Sequence, residues 1–174
     1  MVDNMAREAD VIVEGMLAEV IEGRWNTEDG RAWGQIPDEA VAEPVIYTTY
    51  LVKPTSILKG KTNPGSLVAF HVKGGVDSAI VSPEERKALD EQGISAPLRL
   101  DIGDEIVVFG YEFWPYGGSV LPPGYTTDVS GIFIRGRGDA REYARLLPSP
   151  DGTPEEARVT PERIRQAVAT LPAE

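Results

Sequence analysis

His71 is the only histidine of this chain, and it stands between Phe70 and Val72 in an apolar, β-prone run. An imidazole that titrates near neutrality is a frequent general base. It works as one only beside a nucleophile and an orienting acid, and spacing along the chain places neither. Two readings stay open: a packed or edge histidine, or a hydrolase or hydrolase-accessory domain that uses His71. One histidine and no cysteine leave a structural zinc site without a ligand set. Glu84, Glu85, Asp90 and Glu91 carry oxygen ligands of the kind calcium takes. On a capped helix they read as a solvated face instead, so no metal and no cofactor is expected.

Other short motifs carry chemistry only by their letters. Gly60-Lys61-Thr62 matches the end of a phosphate-binding loop, but that loop needs a glycine at position 55, where Thr55 stands. Ser56 and Lys59 have the S-x-x-K spacing of some acylating enzymes. That chemistry puts both side chains on one helical face, whereas three residues apart on a strand they point to opposite faces. Asp151-Gly152-Thr153 follows Ser149-Pro150 and reads as a turn. Arg137-Gly138-Asp139 is an adhesion tripeptide by letter, with Asp139 better used as a helix cap.

The aromatic residues Tyr111, Phe113, Trp114, Tyr116 and Tyr125 lie across a strand end and a loop rich in Gly and Pro. Packing within the loop is one use for them. The other is a contact surface made of Trp114, Tyr116 and Tyr125, joined by Trp25 and Trp33 from an earlier long loop. Aromatic platforms suit sugars, peptides or bases.

Charge narrows that choice. Seventeen basic and 28 acidic residues leave a net charge of −11. Up to Ser130 there are 10 basic and 21 acidic residues, so the whole excess precedes Gly131; beyond it there are 7 of each. Such a surface repels phosphate backbones and anionic lipid, which makes nucleic acid an unsuitable partner. The expected partner is a protein, peptide or glycan. With no cysteine the redox compartment is undetermined. The first ten residues lack a basic and an apolar region, so no signal peptide is read as written. No apolar run approaches a membrane span. An extracytoplasmic location, secreted or envelope-associated, is expected if the natural N-terminus has been trimmed.

The elements that position these residues are mostly strands. Residues 45–60, rich in β-branched and aromatic side chains, form a long central strand that must kink or lose a pairing at Pro54. Before it, residues 10–23 alternate as a strand interrupted at Gly15 by a bulge or bend. The preceding residues 3–9 suit a helical turn capped by Asp3 or Asn4. A polar connection over 23–44 holds Trp25 and Trp33. Strands follow at 66–73, 105–114 and 130–136, with a helix from Ser82-Pro83 to about Gln92 between the first two. Residues 139–147 suit a short helix, 148–159 a loop. A last helix starts at Thr160-Pro161 with Ile164, Ala167, Val168 and Leu171 on one stripe.

That order matches a mainly β, OB-like five-stranded Greek-key barrel, with a helix between strands 3 and 4 and a C-terminal helix. The barrel domain is expected over 1–147, and 148–174 as a loop and helix packing on it. Several runs carry a resemblance as well: residues 9–15, the strand end Ile57-Leu58-Lys59-Gly60, the pair Gly74-Gly75, and residues 102–109 with Gly103-Asp104 before a β-run to Phe109. Together they resemble uncharacterised bacterial OB-like, netrin/TIMP-like barrels. The resemblance spans residues 9–109 and implies extracytoplasmic or lipid-anchored modules. It brings no catalytic residues. The chain departs from it in lacking an export signal and in the helix after Gly75. The resulting expectation is a non-enzymatic binding or interaction module at the cell envelope. Alternatives are the His71 hydrolase and a structural subunit of a larger assembly docked through its C-terminal helix.

Overall fold

A computed structural model describes residues 2–27, 29–31, 45–63, 65–76, 84, 87, 88, 98, 100–113, 121–135, 143–147 and 155–171. The protein is mainly β. Its strands are β1 (Val11–Trp25), β2 (Ile46–Lys59), β3 (Val68–Lys73), β4 (Glu105–Phe113), β5 (Gly124–Thr127), β6 (Ile132–Arg135), β7 (Tyr143–Leu147) and β8 (Glu155–Val159). Helix α1 (Val2–Glu8) precedes them and helix α2 (Pro161–Ala169) follows. Among the described residues no helix is long and apolar enough to cross a membrane.

The strands form one sheet in the order β1-β2-β3-β5-β4-β6-β7-β8, and an additional β1–β4 pairing closes part of it into a ring. All described pairings are antiparallel except β3 with β5. The first residues of β1 explain the closure. Val11 to Met16 pair with β4 on one edge while Ile12 to Met16 pair with β2 on the other. Register shifts along β1, one of them between Glu14 and Gly15, give the bending a curled sheet requires. A Cβ on Gly15 would overlap the Lys53 carbonyl, so this crossing is open only to glycine.

Alternation sorts the apolar side chains into two cores. Val11, Val13, Leu17, Tyr50, Val52, Phe70, Ile106 and Val108 fill the inside of the curled sheet. Their neighbours of opposite parity, Ile12, Val107, Phe109 and Phe133, form a second cluster with Ala6, Ile164 and Ala167 from the two helices. The start of β1 (Val11, Ile12 and Val13) and residues 106–109 of β4 are thus buried on both faces, which is why these stretches read as continuous apolar runs. The stripe on α2 goes to this second core, with Thr160 capping the helix by accepting from the Arg163 N–H at 3.2 Å.

Several expectations need correction. Residues 143–147 form β7 rather than the end of a helix, and residues 155–159, expected in a loop, form β8. The free edge of β6 supplies the cause, since β7 pairs with β6 and β8 with β7. The closing strand expected over 130–136 is preceded by β5, and a 3-10 turn at Val129–Gly131 separates the two. Eight strands are therefore described where five were expected. Trp25 belongs to the end of β1, paired with Ile46, and not to the connection after it. Helix α1 starts at Val2, so Asp3 lies in its first turn and pairs with Arg163 instead of capping. Of the helix expected from 82 to 92, Glu84, Lys87 and Ala88 are helical and the others lie outside the described residues.

Candidate functional site

The site begins where β3 and β5 meet. Their parallel register starts at Phe70 and Tyr125, and just upstream Gly124 lies against Ala69. A side chain at Gly124 would overlap the Ala69 carbonyl, so glycine lets β5 enter between β3 and β4. Before this junction the chains diverge. β3 comes from the turn after Gly60, and β5 from the connection that leaves β4 at Phe113. The divergence leaves an open groove of about 410 Å³.

Leu67, Phe113 and Tyr125 supply its apolar lining, while Lys61, Asn63 and Glu112 bring polar groups to it. Leu67 is 46% exposed and lies in the groove together with Phe113 and Tyr125, so it is part of an apolar patch. Tyr125 is held on two sides. Its ring packs on Phe70 at 6.0 Å between centroids, and its hydroxyl donates to the Lys61 carbonyl at 3.3 Å. Glu112 is fixed through its backbone, whose N–H donates to the Asp10 carboxylate at 2.6 Å, leaving its side chain exposed. The groove can therefore hold an apolar group against rigid rings and offer charge of either sign at its rim.

His71 adjoins the groove from behind. It is wholly buried, with Phe113 at 4.8 Å and Tyr47 at 6.4 Å between ring centroids. Nε2 lies 3.0 Å from the Pro122 carbonyl, which can only accept, so Nε2 carries the proton. In the neutral ring Nδ1 is then an acceptor, and the Thr49 hydroxyl donates to it at 2.8 Å. Burial pushes the ring down to about 4 from its ordinary 6.5, with the Pro122 carbonyl opposing. A general base needs an open lone pair, and this one is occupied.

Lys59, the lysine of the S-x-x-K spacing, is also committed. Its ammonium donates to the carbonyls of Ala6 and Arg7, both at 3.1 Å, and to that of Ala9, at the C-terminal end of α1. A second hollow of about 300 Å³ lies between α1 and the 3-10 turn, lined in part by Glu8, Tyr111 and Asp128. Burial raises the Tyr111 phenol, and the carboxylates of Asp128, Glu8 and Asp10 add to that. No group of three or more metal-ligating side chains occurs among the described residues.

Of the residues named from sequence, Phe113 and Tyr125 lie in the groove, Tyr111 lines the second hollow, and half-buried Trp25 pairs at the start of β2, away from the groove. Trp33, Trp114 and Tyr116 lie outside the described residues. Leu67 and Glu112 were not singled out from sequence, and Lys61 was met only in the dismissed phosphate-loop match. A leucine directly after the Gly65-Ser66 turn was the available signal for the first of them. No protein-family model, curated protein or solved structure matches this chain.

Proposed function

We propose that this chain is a non-enzymatic binding module whose groove takes an extended, apolar-anchored segment of a partner protein. The observation that carries this reading is the exposed Leu67 in an open groove walled by Phe113 and Tyr125. A strand terminus beside such a groove suits a peptide in extended conformation, with a side chain in the groove supplying selectivity. The surplus of carboxylates before residue 131 favours a partner segment with basic flanks. The occupied nitrogens of His71 weigh against the hydrolase reading. The packing of Ile164 and Ala167 in the chain's own second core weighs against docking through that stripe.

The ring β1-β2-β3-β5-β4 is, in this proposal, an OB-like Greek-key barrel. Support comes from its strand order, its single parallel pair and the long β1 shared between β2 and β4. An extracytoplasmic placement near the resembling bacterial modules belongs to the same proposal.

Selection from a displayed library of random decapeptides tests the reading, with Leu67→Asp as the control protein. Enriched sequences should share an apolar residue flanked by Lys or Arg and should lose binding at least tenfold to the variant. Equal binding to both proteins, or capture of chito- or cello-oligosaccharides with no peptide selected, overturns it.

A further inference from the structure

The groove's rim and the buried histidine are one mechanical unit. Pro122 immediately precedes Pro123, Gly124 and Tyr125, all of which line the groove. Its carbonyl is bound by His71 on β3. On the other side of the ring, Phe113 both lines the groove and packs on the imidazole. The connection into β5 is thus pinned to the outer face of β2 and β3 through a ring anchored at Thr49. We infer that His71 is a positioning residue for the groove, holding the Pro122–Tyr125 rim closed while neutral and releasing it when protonated.

Release follows from burial rather than from loss of the Pro122 bond. The Nε2–H donor is present in both ring states. Protonation instead turns Nδ1 into a donor facing a donating hydroxyl, and places a cation where water is excluded. Rotation of the Thr49 hydroxyl repairs the first conflict but not the second, because an unpaired buried charge is costly. The groups packed on the ring are Tyr47 and Thr49 from β2, Phe113 from β4 and Pro122 before β5. Of these only the Tyr47 phenol is titratable, and among the described residues no charged side chain acts on the ring. Among the described residues the cation meets no carboxylate, so it is stabilised by reaching water, and Pro122, at the start of the groove's rim, is part of the cover over it.

That this motion regulates binding rests on the groove being the binding site; the motion itself can be read without any ligand. The experiment follows the imidazole and the backbone amides of Gly124 and Tyr125 by NMR between pH 7 and 3.5, in wild type, His71→Gln and His71→Leu. Glutamine keeps a donor for the Pro122 carbonyl and cannot titrate. The expected result is a ring that titrates well below 6.5 with both amides moving at the same midpoint. In His71→Gln the amides hold their neutral positions throughout, and in His71→Leu they are displaced already at pH 7. If His71→Leu does not fold, the wild-type and Gln titrations decide alone. Amides that stay still while the ring titrates, or that move identically in His71→Gln, overturn the inference. So does a single transition in which the β1 and β4 amides are lost together with the rim. A groove that binds no peptide would refute the proposed function and leave these outcomes unchanged.

Discussion

Gly124 and Ala69 approach so closely that a Cβ on the glycine would overlap the alanine's carbonyl oxygen and lie 2.8 Å from its Cβ. Backbone is the obstacle, so the clash cannot be relieved by turning a side chain. Gly124→Ala should therefore push β5 from β3 and cost about 1–3 kcal/mol, as overpacking does. Urea unfolding should show a lower midpoint at an unchanged slope. The contacts of Tyr125 should loosen with it, visible as altered tyrosine environment in near-ultraviolet circular dichroism.

Lys59 links the end of β2 to the end of α1 through three carbonyls. Replacing it with Met keeps most of the stem and removes the donor. Loss of about 1–2 kcal/mol is expected from the orphaned helix end. Hydrogen exchange should place the loss in α1 and the second core, with β3 unaffected.

Tyr50 is fully buried, and its hydroxyl donates to the Leu98 carbonyl at 2.8 Å. Burial pushes this phenol up to about 12. Tyr50→Phe preserves the ring but strands the carbonyl, at a cost of about 1–2 kcal/mol. In wild type, the ultraviolet absorbance of this tyrosine should remain that of the neutral phenol well above pH 10.

His71 makes stability pH-dependent with a definite sign. Its folded value, about 4, is below the ordinary 6.5, so the unfolded chain binds the proton first as pH falls. The contribution is complete above pH 6.5, declines between 6.5 and 4, and is gone below 4. Two and a half units correspond to about 3 kcal/mol. Denaturant titrations at pH 7, 5.5 and 4 should show wild type losing more stability than His71→Gln, because carboxylate effects are common to both. Parallel losses in the two proteins would place the ring's folded value close to 6.5.

What could be read from the sequence was set by how local its cause is. The Gly15 irregularity and the flanking Val and Ile residues announce a bent strand. Thr160-Pro161 and the stripe from Ile164 to Leu171 announce α2, because a cap and a period of 3.6 are contained in a dozen residues. β7 had no such signal. Tyr-Ala-Arg-Leu-Leu at 143–147 is composed of residues compatible with a helix, and it becomes a strand because β6 offers an edge. Gly-Tyr-Thr-Thr in β5 is too short to show a period at all. The groove was legible only at Phe113 and Tyr125, for the same reason. Leu67 on one side and Glu112 and Phe113 on the other come together because β5 enters between β3 and β4, pairing parallel with one and antiparallel with the other, and the Gly65-Ser66 turn was the one local signal for Leu67.

The proposed function is that the groove beside Tyr125 receives a peptide. Its most direct test is amide chemical-shift mapping of the wild-type protein with a basic, apolar-centred decapeptide from the library selection. Shifts should concentrate at Lys61–Asn63, Leu67–Ala69, Glu112–Phe113 and Gly124–Tyr125, and be absent in Leu67→Asp. Shifts gathered instead around Trp25 and Ile46, or on α1 and the hollow beside Tyr111, would contradict it.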